Sequence, residues 1–382
     1  MIGSCVAETS LESERWFRPR DFLVTSVFLL VSVGTVLIFS ASAFHWSVQG
    51  DSTFFLRRQL IWLPIAFAGC YLMSRINPQV LQRYHWQFLL ASMVLLAVVL
   101  VPQLGRNVNA SRRWLPLGGG LQFQPSELAK LAVIVFVAGF MSRDVTRRNK
   151  FFRGFLAVCF VVLPLFALIL AEPDFGTAMF VLGLAFTVLV LSGMRKIFFF
   201  ASFIIFAPII AAFAYWRWEQ IQVRLLGFFD PEKLYQVKHS LTALGSGGLS
   251  GLGLGESGQK LQFLPEPHTD FILAILGEEL GFLGCLGVIL VFLVLLWSGA
   301  AIVWRTKELF PFLLGAGIIV SLASQAAFNI AVVTASAPTK GIPLPFITFG
   351  GSGLCMTLAQ IGILLSIDRA NRFSAASRAE SP

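Results

Sequence analysis

Ten long apolar runs constrain this chain more than any single motif does. They fall at about 22–44, 59–74, 86–102, 125–141, 154–171, 175–193, 197–215, 271–303, 311–335 and 350–367. A helix needs roughly 20 apolar residues to cross a bilayer core, so the runs read as membrane crossings. The second is short for a span and borrows Phe54 to Arg58; the eighth is too long and begins as a re-entrant or tilted piece. Only 13% of residues are charged and 56% are hydrophobic, against about 25% charged in soluble domains. That excludes a soluble enzyme and a disordered or fibrous chain. The expected fold is an all-α integral membrane protein of about ten transmembrane helices.

Charge orients the runs. The net charge is +9, and no basic cluster sits on a soluble module that could present it to nucleic acid. With both termini in the cytoplasm, the short connections obey the positive-inside rule, most clearly at 143–153. The expected organisation is a cytoplasmic tail at 1–21, a ten-helix membrane domain at 22–367 and a cytoplasmic tail at 368–382. Outer loops are expected at 103–124 and 216–270, the larger lying between helices 7 and 8. The polar start with Arg15, Arg18 and Arg20, followed by a long run from Phe22 to Phe44, does not fit a removable signal. Cys5, Cys70, Cys159, Cys285 and Cys355 are widely spaced, with neither a disulfide framework nor a zinc pattern.

The outer loops are basic where topology disfavours it: Arg106, Arg112 and Arg113 in the first, and Arg217, Arg224, Lys233, Lys238 and Lys260 in the second. An anionic lipid-linked substrate would use that charge; long loops also translocate regardless of it. Glu127, Glu172, Asp174, Asp270, Glu278 and Glu279 all fall at or just inside outer membrane ends. Intramembrane charge is costly and faces a cavity or a partner, so an outward-facing polar cavity is expected. No internal repeat is visible, which argues against an inverted-repeat transporter.

Individual motifs leave two readings each. Glu127 and Lys130, at i and i+3 in QPSELAK (124–130), form a neutralising ion pair or hold Lys130 near a phosphate. In Glu172-Pro173-Asp174, Asp174 caps the next helix, or the two carboxylates share a divalent cation. The glycine-rich stretch 245–260 lacks the strand and the GK[ST] ending of a nucleotide loop. It reads as a flexible segment whose N–H groups approach phosphate oxygens. Asp270, after His268 and Thr269, is a helix N-cap or a partly desolvated general base. The proline-rich run 338–351, with Lys340, is a plain loop or irregular backbone covered by protein.

Taken in order, these elements resemble the SEDS family (shape, elongation, division and sporulation), the membrane peptidoglycan glycosyltransferases. The resemblance covers about residues 20–370. It rests on Arg112-Arg113-Trp114, QPSELAK, PDFGT at 173–177, GLGLGESGQK at 251–260, LPEPHTDF at 264–271, GEELG at 277–281 and PTKGIPLPF at 338–346. PTKG and the stretch 242–248 look more like the division branch (FtsW) than the rod-elongation branch (RodA). Glu172, where the family often has Gln, and Gly353, where a second Ser is common, depart from the pattern.

The resemblance implies polymerisation of lipid II, an undecaprenyl-pyrophosphate-linked disaccharide-pentapeptide, with inversion, during septal wall synthesis. It implies Asp270 as the general base and a divalent cation, Mg2+ or Mn2+, with unassigned ligands. Arg112, Arg113, Glu127, Lys130, Asp174, Lys260, His268, Glu278 and Lys340 are the implied substrate-binding residues. A class B penicillin-binding transpeptidase and other division-complex membrane proteins are the implied partners, in the bacterial inner membrane. A lipid II flippase and a RodA-like polymerase are the alternatives.

Overall fold

The structure is a computed structural model, and it describes residues 18–42, 53–108, 111–118, 121–198, 234–260, 264, 268–339 and 341–379, with single positions between 200 and 222. About half of the expected span at 197–215 therefore lies outside the described residues.

The helices are α1 (Pro19–Ser42), α2 (Phe54–Arg75), α3 (Pro78–Arg83), α4 (His85–Leu100), α5 (Pro125–Arg143), α6 (Ala157–Ala171), α7 (Phe175–Leu191), α8 (Tyr235–Gly247), α9 (Ile272–Trp304), α10 (Leu309–Val333) and α11 (Gly351–Ala379). Among the described residues six helical segments are long and apolar enough to cross a membrane: α1, α5, Phe151–Ala171, α9, α10 and most of α11. The shorter apolar helices α4 and α7 match two further runs, and α2 starts at Phe54 as the short second run requires.

Helix α5 is the centre of the bundle. It is apolar around its whole circumference after Lys130, the pattern of a helix enclosed by others, and α3, α4, α6, α7, α10 and α11 all pack on it. Parallel helices α2 and α11 make the most extensive contact among the described helices. A side chain at Gly351 would fall on the Trp62 ring, and one at Gly362 on the Cys70 carbonyl. Small residues let helix backbones approach where no hydrophobic effect drives them together. Cys70, Cys159, Cys285 and Cys355 are free thiols.

Three local readings need correction. The described residues are mostly helical, as expected, but the loop expected at 103–124 holds an antiparallel sheet of β1 (Arg106–Val108), β2 (Ser111–Gly118) and β3 (Leu121–Phe123) in the order β1-β2-β3. Gly118 pairs with Leu121, and Gly119-Gly120 between them in sequence is a dipeptide that favours a tight hairpin. The 216–270 segment contains the helix α8, which packs on α9 and α10.

The glycine-rich stretch is not a flexible cradle for phosphate; its N–H groups serve α9. That helix breaks at Gly281, whose φ of 67° suits glycine. The break frees backbone groups, and the glycine segment meets them. Leu252 and Gly253 donate to the Glu278 and Glu279 carbonyls, at 3.0 Å each, while Phe282 and Leu283 donate to those of Gly248 and Leu249, at 2.9 and 3.1 Å. Unmet backbone polar groups cost several kcal/mol at membrane depth, which accounts for two glycine-rich motifs facing each other. The overlong eighth run is thus two helical pieces, as its length suggests.

Candidate active site

A cavity of about 400 Å³ opens where the sheet, the N-terminal ends of α2, α5 and α11, and the segment before α9 converge. Asp270, His268, Arg113, Glu127 and Asp174 all line it, as do Arg58, Trp62 and Gln325.

The N-cap of α9 is Phe271, so Asp270 stands one residue before the cap position, where it lines the cavity. Two neighbours fix it. Asn329 of α10 donates to the Asp270 carbonyl and to the Ile342 carbonyl, both at 3.0 Å. A Cβ at Gly341 would stand 3.0 Å from Asp270 Oδ2, so glycine leaves the room that the carboxylate occupies. The proline-rich run is protein-covered irregular backbone rather than a plain loop. Ile342, Leu344, Phe346 and Ile347 are buried, Thr348 Oγ1 accepts from Leu344 N at 2.9 Å, and Phe349 N donates to the His268 carbonyl at 3.1 Å. Lys340 lies outside the described residues.

Arg113 reaches the cavity from β2 and is held by the turn between α6 and α7. Its Nε donates to the Glu172 carbonyl at 3.1 Å and its Nη2 to the Pro173 carbonyl at 2.7 Å. Its Nη1 lies 3.6 Å from Asp174 Oδ2. Asp174 also caps α7, accepting from Thr177 N at 3.1 Å and Thr177 Oγ1 at 2.9 Å, so the turn reading holds. Glu172 beside it is 0% exposed, and neither carboxylate oxygen has a hydrogen-bond partner. Burial, and then the neighbouring Asp174, push its carboxyl up to about 8 despite the opposing pull of Arg113.

Glu127 and Lys130 form the expected pair, Nζ to Oε2 at 2.7 Å. Lys130 also donates to Gln325 Oε1 at 2.9 Å, and Gln325 Nε2 donates to Ser321 Oγ at 3.2 Å. Lys130 is 3% exposed and sits behind Glu127, neutralising it. A Cβ added at Gly353 of α11 would stand 3.9 Å from the Glu127 carboxylate.

Two of the expected residues belong to a second buried cluster and do not line the cavity. Lys260 spends its donors on Glu279 Oε1 at 2.9 Å, Ser40 Oγ at 3.1 Å and the Gly255 carbonyl at 2.6 Å. Glu278 accepts from Ser257 Oγ, from Gly258 N at 3.0 Å and from Gln259 N. Arg112, one residue from Arg113 on β2, is not among the lining residues. Sequence reasoning passes over Arg58, Trp62, Gln325 and Asn329. The last two had a legible signal: Ser321, Gln325 and Asn329 are polar at a spacing of four in an apolar run, one face of a helix.

The descriptor "cell cycle protein" (FtsW/RodA/SpoVE) matches residues 20–373. This chain belongs to the FtsW/RodA/SpoVE family, the SEDS proteins. Among its relatives is the stage V sporulation protein E of Bacillus subtilis (strain 168), 36% identical over 367 residues, covering 93% of this chain and 98% of the relative. Another is the probable peptidoglycan glycosyltransferase FtsW of Trichlorobacter lovleyi, 37% identical, covering 90% and 92%. A solved peptidoglycan synthase complex, described as coordinating polymerization and crosslinking, contains a chain 26% identical with a TM-score of 0.74, covering 91% of this chain and 97% of that one. The rod shape determining protein RodA of Thermus thermophilus is 28% identical with a TM-score of 0.65, covering 91% and 96%.

Proposed function

We propose that this chain is a peptidoglycan glycosyltransferase of the division branch, polymerising lipid II at the outer face of a bacterial inner membrane with Asp270 as general base. The observation that carries the reading is the convergence of the Asp270 carboxylate and the Arg113 guanidinium on one cavity. Ten spans, cytoplasmic tails at 1–21 and 368–382, and the cavity on the outer side complete it. The FtsW relatives support the branch, and the synthase complex supports a crosslinking transpeptidase as partner.

The chemistry is a single displacement. A sugar hydroxyl of one lipid II gives its proton to Asp270 as its oxygen bonds to the anomeric carbon of the other substrate. The bond from that carbon to the pyrophosphate breaks on the opposite side, inverting the centre, and the lipid pyrophosphate leaves with the electron pair. A base within reach of the nucleophile contributes typically 10²–10⁴-fold. Arg113, fixed in advance by the 172–174 turn, offers charge to the leaving group without reorganising; Arg112, next to Arg113 in sequence, and Lys340, next to Gly341, are further cations. His268, Glu127 and Asp174 shape the polar wall, with Lys130 holding Glu127. Lys260 and Glu278 act by fixing the segment that precedes Asp270.

The divalent cation finds no ready cage. Among the described residues no three His, Cys, Asp or Glu side chains come together to hold an ion. Glu127 is taken by Lys130, and Asp174 by its cap and Arg113. Mg2+ or Mn2+ dependence stays part of the proposal, with no step routed through the ion.

The test separates polymerase from flippase. The purified protein with its cognate transpeptidase, lipid II, Mg2+ and a transpeptidation inhibitor should yield glycan strands. Absence of strands together with lipid II translocation in proteoliposomes would establish the flippase instead.

A further inference from the structure

A groove of about 730 Å³ lies at the end of the bundle opposite the cavity, between α1, α2 and α11. The same two helices, α2 and α11, connect the two sites. Arg58 of α2 lines the cavity and Arg75 lines the groove, and the helix between them rises about 25 Å, close to the thickness of a bilayer core. The groove walls are apolar, with Val27, Phe28, Phe67, Leu358 and Ile361, and Phe28 stacks on Phe67 at 5.1 Å across the floor between α1 and α2. Its mouth carries Arg20, Arg75, Arg369 and Arg372 with one carboxylate, Asp368.

The arginines come from three different helices, and three of the four are set in place. Arg75 lies 5.1 Å over the Tyr71 ring and donates to its hydroxyl at 2.8 Å. Arg369 donates to the Arg75 carbonyl. Arg372 pairs with Asp368 at 2.7 Å. One carboxylate neutralises one of the four, so the mouth keeps a surplus of guanidinium donors above an apolar trough. Guanidinium forks match phosphate oxygens, and basic pockets between membrane helices take anionic head groups. An apolar trough alone would accept any acyl chain; the charge selects the lipid.

We propose that this groove is a binding site for an anionic phospholipid, its phosphodiester held by Arg20, Arg75, Arg369 and Arg372 and an acyl chain laid along the α1–α2–α11 trough. In the proposed topology the site opens to the inner leaflet. It is independent of the Asp270 chemistry.

The test uses the full-length protein in detergent, equilibrated with dioleoylphosphatidylglycerol or dioleoylphosphatidylcholine and read by native mass spectrometry. The wild type should retain phosphatidylglycerol in preference to phosphatidylcholine. Each arginine near an anionic head group contributes roughly fivefold, so Arg20→Gln/Arg372→Gln should weaken phosphatidylglycerol binding by about 25-fold. Both side chains are exposed. Because Arg372 also pairs with the buried Asp368, melting temperature is measured on the same preparations. Arg20→Gln alone, which breaks no ion pair among the described residues, should still weaken binding about fivefold. Lys150→Gln/Arg153→Gln removes the same charge from exposed positions at the same end of the bundle, away from the groove, and should leave binding unchanged. A photoactivatable phosphatidylglycerol should label α1, α2 or α11 and lose that labelling in the groove variant. Equal losses in the two double variants, equal retention of the two lipids, labelling confined to other helices, or no retained lipid, as when a protein segment fills the groove, would each overturn the proposal.

Discussion

Glu172 shows what one residue does to the electrostatics of the site. Its carboxyl is buried without a hydrogen-bond partner and pushed up to about 8 by burial and by Asp174. Between its ordinary 4.5 and about 8 the folded chain keeps a proton that the unfolded chain has released. The unfolded state then binds fewer protons, so stability falls as pH rises through that window. Glu172→Gln should remove the slope and gain on the order of a few kcal/mol at pH 8, read from thermal unfolding in detergent at pH 6 and pH 8.5; a slope unchanged by the substitution would contradict the assignment. Gly341 tests geometry in place of charge. An added Cβ would sit 3.0 Å from Asp270 Oδ2, so Gly341→Ala should slow polymerisation roughly tenfold by displacing the carboxylate, with little change in melting temperature. An unaltered rate would separate Gly341 from the site. Asp270 and Gly341 are distant in sequence, and their contact could not be read from spacing; only the two motifs that carry them could.

At the scale of elements, α5 carries a buried ion pair into the middle of the bundle. Removing one partner of such a pair leaves an uncompensated charge and typically costs about 3–5 kcal/mol, whereas replacing both can be neutral. Lys130→Met should therefore lower stability by about that amount, and Glu127→Gln/Lys130→Met should recover most of it, as read by unfolding. Equal losses in the single and double variants would mean the pair contributes packing and not charge balance. The pair was legible in the sequence because i and i+3 share a helix face, and so was the cap at Asp174, because its local order suffices. The sheet was not: residues 106–123 read as a loop because β1 and β3 have three residues each, and β2, though eight residues long, shows no polar–apolar alternation. The partners of the glycine-rich stretch were hidden as well. Glycines advertise backbone freedom, and only the break at Gly281 tells which backbone groups that freedom serves.

Across the whole molecule, two features of one sequence meet in a single arrangement. Apolar runs supply the bundle, and most of the charges at one end of it that a membrane would reject line a cavity or are paired, Glu172 being the exception. Most of the run boundaries were readable from hydropathy alone. Which charges face the cavity, Arg113 and Asp270, and which are locked in a second cluster, Lys260 and Glu278, depends on long-range packing that no local pattern carries. The central claim is that Asp270 is the base of a lipid II polymerase. The most direct measurement is glycan strand formation by Asp270→Asn beside the wild type, with lipid II binding and thermal stability measured on the same preparations. The account predicts binding and melting temperature close to wild type with polymerisation reduced about 10²–10⁴-fold. A folded Asp270→Asn protein that polymerises lipid II at the wild-type rate would contradict it.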